Sequence, residues 1–246
     1  MSFFSRPSSI LCIAISTDNM VLSFIDRNLW LANFGHHCQL QAYRRIKLEN
    51  NEFYESHIFN YQLLINYILQ FVYDFKIKHP SVVVSVDGPS ILEQLVYHNI
   101  ENENGESKSL WCDKTKNNWQ RYYLGNCHCI DNVEVYYQCS IPHGNLLQYH
   151  LLILMAQMRL IHLTTHTFAQ LRALIYRNGL IKIALSPDDE KNSLHSYLDE
   201  GIKTYDVTHH MKISRDIDID IVNEKNYLIA SFGLYLLGNQ ANEKFS

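Results

Sequence analysis

The stretch 133-VEVYYQCSIPHGNLLQYHLLILMAQMRLIHLTTHTFAQLRALIYRNG-179 decides the fold. Val133, Val135 and Tyr137 alternate with Glu134, Tyr136 and Gln138, the period of a half-buried strand that ends near Pro142. Residues 146–158 are apolar on nearly every side, with Leu147, Leu151, Leu154 and Met158 on one stripe. That pattern predicts a helix buried in a core, and it is too short to span a bilayer. Residues 160–163 read as a strand. Thr164 and Thr165 can cap the next helix, whose apolar run is Phe168, Ala169, Leu171, Ala173 and Leu174, because a threonine hydroxyl accepts from the orphan amides of a first turn. Gly179 stands where a C-terminal stop belongs. Strand, buried helix, strand, helix is a crossover unit, and the chain is organised about it.

Upstream, residues 1–9 are polar. Residues 10–16 and 20–25 are two strands joined by the turn Thr17-Asp18-Asn19, and 37–44 is the best strand between 29 and 47, a segment broken at Gly35. Residues 50–57 read as a linker. Leu64, Ile68, Phe71 and Phe75 recur on one face of a helix over 59–78. Val82-Val83-Val84-Ser85-Val86 has the continuous β-branched character of a central strand covered on both faces, stopped by Gly88-Pro89. Residues 91–97 read as a short helix, 101–118 as a polar loop, and 120–124 as a strand paired with that at Val133. After Gly179 the pattern predicts a strand at 180–185, an acidic loop, a helix at 193–200, a strand at 203–207, irregular chain over 208–223 and a closing helix at 224–237. Three strands, a helix and a parallel strand in the first ninety residues is the order of ribonuclease H-like domains.

Composition narrows the function. The chain has 246 residues, 47% of them hydrophobic, enough for one large domain or two small ones. Its formal net charge of -4 offers no basic face for nucleic acid. No apolar run is long enough for a membrane helix, and Asp18 follows the first apolar run without a cleavage pattern, so neither membrane insertion nor a signal peptide is expected. Six cysteines are too few for a disulfide scaffold and suit a reducing cytoplasm.

Several runs resemble the PilM family, actin-like cytoplasmic proteins of type IV pilus and type II secretion assembly. Thr165-His166-Thr167-Phe168-Ala169-Gln170-Leu171-Arg172-Ala173-Leu174 is similar to the strand-to-helix segment that closes that family's first domain. Val82-Val83-Val84-Ser85-Val86-Asp87-Gly88-Pro89-Ser90 resembles its strand and turn before an inserted subdomain, which Tyr122-Tyr123-Leu124-Gly125 and the Val133 strand continue. Ala230-Ser231-Phe232-Gly233-Leu234-Tyr235-Leu236-Leu237-Gly238 resembles the closing helix. The resemblance implies an α/β, actin-like ATPase (ribonuclease H-like) fold, a mixed sheet with flanking helices. Residues 1–179 would form the first domain, with a small subdomain inserted at about 90–160, and 180–246 a truncated second domain.

It also implies a nucleotide site that has decayed. The family's N-terminal hairpin cradles phosphate with backbone amides, glycine and an inward acid. Here Ala14 stands in the place of the acid, Ser16 in that of the glycine and Val21 in that of a lysine, followed by Thr17 and Asn19. A magnesium nucleotide needs oxygen ligands and positive charge, which this turn lacks. The adenosine loop would fall at Ser186-Pro187-Asp188-Asp189-Glu190, where three acids repel polyphosphate. No enzyme activity, cofactor or metal is expected, and Ala14 is expected to be buried against the 64–75 helix. The resemblance implies a scaffold, cytoplasmic and peripheral to the inner membrane, that binds the tail of a PilN-type membrane protein. The alternative is a divergent actin-like ATP-binding protein using Ser16, Thr17 and Asn19; a third reading is a domain kept for self-association.

Other constellations have simpler structural readings. Cys127-His128-Cys129 with Cys139 and His143 lacks the spacing of a zinc knuckle. His162 and His166 are divided between a strand and a helix. Asp216, Asp218 and Asp220 lack the glycine and the terminal glutamate of a calcium loop and read as an edge strand. Asp87 lies at a crevice but is also the natural turn former before Gly88-Pro89.

Overall fold

The computed structural model describes residues 9–27, 38–99, 119–126, 133–178 and 190–244. The expected loop at 101–118, the Cys127-His128-Cys129 run, Gly179, the strand at 180–185 and the acids at 188 and 189 lie outside them. Strands β1 (Ser9–Ile15), β2 (Asn19–Asp26) and β3 (Cys38–Lys47) form an antiparallel meander. Helix α1 (Tyr61–Asp74) then crosses to β6 (Ser81–Val86), which runs parallel to β1. The segment between β3 and α1 is not a plain linker: β4 (Phe53–Tyr54) and β5 (His57–Ile58) make a tight hairpin. Its two turn residues, Glu55 and Ser56, have φ of 49° and 68°, the signs of a type I′ turn, here built without glycine.

Residues 91–97 are strand rather than helix. β7 (Leu92–Asn99), β8 (Trp119–Asn126) and β9 (Val133–Ser140) form a separate three-stranded antiparallel sheet in the order β7-β9-β8. Pairing with β9 along its whole length explains the difference. Leu95 and Val96 are buried, and Glu93 is drawn inward by a bond from Tyr137, so the segment reads as a strand with one polar residue on its inner face. Helix α2 (His143–Met155) returns the chain to β10 (Arg159–Thr165), parallel to β6, and α3 (His166–Asn178) follows at once. The crossover therefore runs from β6 to β10; β9 belongs to the inserted sheet.

Helix α4 (Glu190–Thr204), a 3-10 turn (Val207–His209), β11 (Met211–Ile213) and α5 (Lys225–Lys244) complete the described chain. The strand expected at 203–207 is helix end and 3-10 turn, because the Asp206 carboxylate caps Thr208 N at 3.0 Å. β11 adds parallel to β3, giving a six-stranded sheet in the order β10-β6-β1-β2-β3-β11. Asp216, Asp218 and Asp220 are exposed and are not in a strand; Ile217 and Ile219 between them pack on the core.

Two cores sandwich the large sheet. One side holds Leu11, Ile13 and Ile15 with Leu64, Ile68 and Phe71 of α1 and Tyr149, Leu152 and Ile153 of α2. The other holds Ile10, Cys12 and Val83 with α3, α5, the inner face of the small sheet and residues of α4. Residues from 190 onward thus share the core of the first strands. Helix α2 is not buried all round. Its core stripe is Asn145, Tyr149, Leu152 and Ile153, whereas Leu147, Leu151, Leu154 and Met155 are exposed.

Candidate functional site

Parallel register builds the site. Ile15, Val86 and Thr165 are level across β1, β6 and β10, so Ser16, Asp87 and His166 emerge together at the carboxyl ends of three parallel strands. This is where ligands bind in open α/β sheets. The Asp87 amide donates to Ile15 O at 3.0 Å, which fixes the turn into the crevice. Burial pulls the His166 imidazole below its ordinary pKa, and the charge of Asp87 opposes this. Thr165 caps α3, its hydroxyl accepting from Phe168 N at 3.2 Å. Tyr137 and Thr167 hold Glu93 from either side, tying the small sheet to the same helix start.

The four residues of the expected phosphate turn have different fates. Ala14 is buried, 3% exposed, and pairs with Val21 and Ser85. It lies on the same side of β1 as Ile10 and Cys12, which face α3 and α5, and not against α1 as the sequence suggested. Alternation along β1 decides this: Leu11, Ile13 and Ile15 take the α1 side. Beside it the Ser85 hydroxyl is buried without a partner among the described residues. Ser16 closes the hairpin, its amide donating to Asn19 O at 2.9 Å and its hydroxyl to the same oxygen at 3.2 Å. Thr17 and Asp18 are exposed at the tip. Asn19 is buried; its amide donates to Tyr227 Oη at 3.2 Å and its carbonyl accepts from Arg45 Nε at 2.9 Å.

A second set of residues thus joins the site: Tyr43 and Arg45 of β3, with Glu224 and Tyr227 at the start of α5. The Arg45 guanidinium stacks over the Tyr227 ring at 4.8 Å and pairs with Glu224 at 3.1 Å. Tyr43 donates to the other Glu224 oxygen, and burial followed by that bond pushes its phenol far up. The His166 ring meets Tyr227 edge-on at 6.1 Å. Local sequence could not have found this set, since Asn19 and Tyr227 are 208 residues apart. The arrangement uses the side chains of Ser16 and Asn19 for internal bonds. Arg45, whose guanidinium holds Asn19, is already paired with Glu224.

Among the described residues no group of three metal-binding side chains comes together. His162 lies on β10 and His166 opens α3. The Cys139 thiol is pushed up to about 12 by burial, with Glu93 adding to it. No helix among the described residues is long and apolar enough to cross a membrane.

No protein-family model and no curated protein sequence matches the chain. Solved structures do. A chain of the PilM–PilN type IV pilus biogenesis complex is similar at 12% identity with a TM-score of 0.51, over 70% of this chain and 51% of that one. The cytoplasmic domain of EpsL, an inner membrane component of the type II secretion system of Vibrio cholerae, matches at 12% identity and a TM-score of 0.39, over 66% and 57%. The ethanolamine utilization protein EutJ from Carboxydothermus hydrogenoformans matches at 11% identity and a TM-score of 0.35, over 68% and 40%. The chain spans about half the length of the PilM–PilN complex chain that it matches. Its meander, crossover helix and parallel strands, flanked by helices on both sides, are the actin-like ATPase fold.

Proposed function

We propose that this chain is a non-catalytic scaffold on the actin-like fold, working in a type IV pilus or type II secretion-like assembly complex. In this reading it docks the cytoplasmic tail of a PilN-type inner-membrane protein, and that partner holds it at the membrane. The observation that carries the reading is the closed hairpin: Asn19, Arg45, Glu224 and Tyr227 bond one another where a phosphate would need free donors. The likeness of the fold to a chain of the PilM–PilN complex supports the choice of partner. An extended tail would gain affinity by backbone pairing with an open strand edge, and among the described residues β10 and β8 end their sheets. Calorimetric titration with the tail peptide of a candidate partner tests this. Binding at about 1–50 µM supports it, and silence across that range counts against it.

A second reading is a divergent ATP-binding protein, favoured by the uncovered Thr17 and the exposed Asp87 at the same strand ends. ATP with magnesium at a hundredfold its Kd would stabilise the fold by about 2.7 kcal/mol. A flat thermal shift removes this reading.

A further inference from the structure

Helix α2 has 13 residues, and none is Asp, Glu, Lys or Arg. Its core stripe is satisfied, with Asn145 donating to Ser90 Oγ at 3.1 Å and Tyr149 to Ser56 O at 2.9 Å. The opposite face is not. Leu147 is 56% exposed, Leu151 45%, Leu154 69% and Met155 47%. Four large apolar side chains on one outward ridge form the contiguous kind of patch that marks an interaction site. The β4–β5 hairpin extends the patch at the helix start. Ile58 N donates to Gln148 Oε1 at 3.0 Å, and the next residue, Phe59, is 62% exposed.

We propose that this ridge is a two-fold interface with a second copy of the chain. Leu147, Leu151 and Met155 are spaced four apart, the row that packs ridges into grooves. The row is symmetric about Leu151. A two-fold axis there sets Leu147 of one copy against the Met155 position of the other, which is the self-complementarity an isologous contact requires. Charge points the same way. A protein of net charge -4 repels itself over most of its surface, and α2 is a face where two copies bring no like formal charges together. A lipid surface is less suited, because helices that lie on membranes flank their apolar face with Lys and Arg, and α2 has neither. From the exposures, the ridge offers roughly 350 Å² per copy, or about 700 Å² for the pair before Phe59 is added, the size of a weak and reversible contact.

Sedimentation velocity from about 1 to 500 µM spans the affinity expected of such a contact. The parent should pass from monomer to dimer across this range. Leu151→Glu should remain monomeric with an unchanged melting point, since the side chain is half exposed. Leu154→Glu, at the most exposed position, provides a second disruption independent of Leu151. A mixture of Leu151→Glu with Leu151→Arg should restore a dimer, because opposite charges then meet at the axis. A parent that stays monomeric at every concentration overturns the proposal, as does a dimer that survives Leu151→Glu. A monomer that instead floats with phosphatidylcholine–phosphatidylglycerol vesicles, and loses this with Leu151→Glu, overturns it in favour of a membrane face.

Discussion

Ala14→Asp introduces an acid at the position where the resemblance to the PilM family would place one, and its outcome depends on whether that position is wet. Ala14 is 3% exposed and lies between Val21 and Ser85, both fully buried. Its polar neighbour across the strand is the Ser85 hydroxyl, without a partner among the described residues, which can donate a single hydrogen bond. That is not enough to solvate a carboxylate. Buried acids rise by as much as 3–5 pKa units; with partial relief from Ser85 a rise of about 3 is reasonable. The sign follows from linkage. The folded pKa lies above the unfolded value near about 4, so the penalty is absent in acid and grows by about 1.4 kcal/mol per pH unit until pH passes the folded pKa near about 7. The cost is then about 1.5 kcal/mol at about pH 5 and about 4 kcal/mol at about pH 8. For a domain of this size, the melting point should fall by roughly 3–6 °C at the lower pH and 8–16 °C at the higher. Differential scanning calorimetry of parent and variant at both pH values, with and without ATP and magnesium, measures it. An unchanged melting point at the higher pH, or a gain with nucleotide, would refute the buried reading and show a hydrated crevice.

Gly233→Ala should destabilise by about 2–4 kcal/mol despite the better helix propensity of alanine, because the new Cβ would stand 1.7 Å from Ala169 O, a backbone atom of α3. Gly144→Ala, with open space around it, should be neutral or slightly stabilising; denaturant midpoints compare the two. Lys76 and Gln157 hold φ of 54° and 57° in the turns that end α1 and α2, so Lys76→Gly and Gln157→Gly should each stabilise by about 0.5–1 kcal/mol, and a loss in both would contradict the left-handed caps. His166 has its pKa lowered by burial in the fold, so its contribution is intact above the unfolded pKa near about 6.5 and is lost as pH falls below it. His166→Gln should flatten the decline in melting point between about pH 7 and pH 5, and an unchanged slope would remove His166 as its source.

The frame of the fold was legible because its strands announce themselves. Ile10, Leu11, Ile13 and Ile15, the run Val82–Val86 and the helix with Leu64, Ile68 and Phe71 are buried on the periods that physics assigns them. Among the readings that went astray, three show the physical reason most plainly. Residues 92–99 contain two polar glutamine and glutamate side chains that weaken the alternation, and only pairing with β9 makes them strand. Helix α2 is apolar on both faces, so periodicity could not say which stripe meets the sheet; the bonds of Asn145 and Tyr149 decide it. The helix expected over 59–78 starts only after Asn60, which caps Leu63 N, and stops at Asp74 because Lys76 N and Ile77 N turn back to Tyr73 O and Val72 O. Of the candidate site, sequence located the hairpin but not its closure.

That closure is a consequence of packing at a distance. Helix α5 can lie close to α3 because Gly233 has no side chain where Ala169 O passes, and close to the sheet because a Cβ at Gly238 would come within 2.7 Å of Ile10 Cδ1 and 2.8 Å of Val83 Cγ2. The buried bond from Ser23 Oγ to Ser231 Oγ at 2.8 Å fixes its register over β2. Six residues before Gly233, about 9 Å along the axis, the same helix delivers Tyr227 to the hairpin, where it meets Asn19 and the Arg45 guanidinium. A larger residue at 233 would lift α5 and loosen Tyr227 together with the seam. The stability of the closing helix and the occupation of the hairpin's polar groups are therefore one property. Gly233→Ala should accordingly weaken the Asn19–Tyr227 contact as well as the fold, which amide exchange at Asn19 can follow.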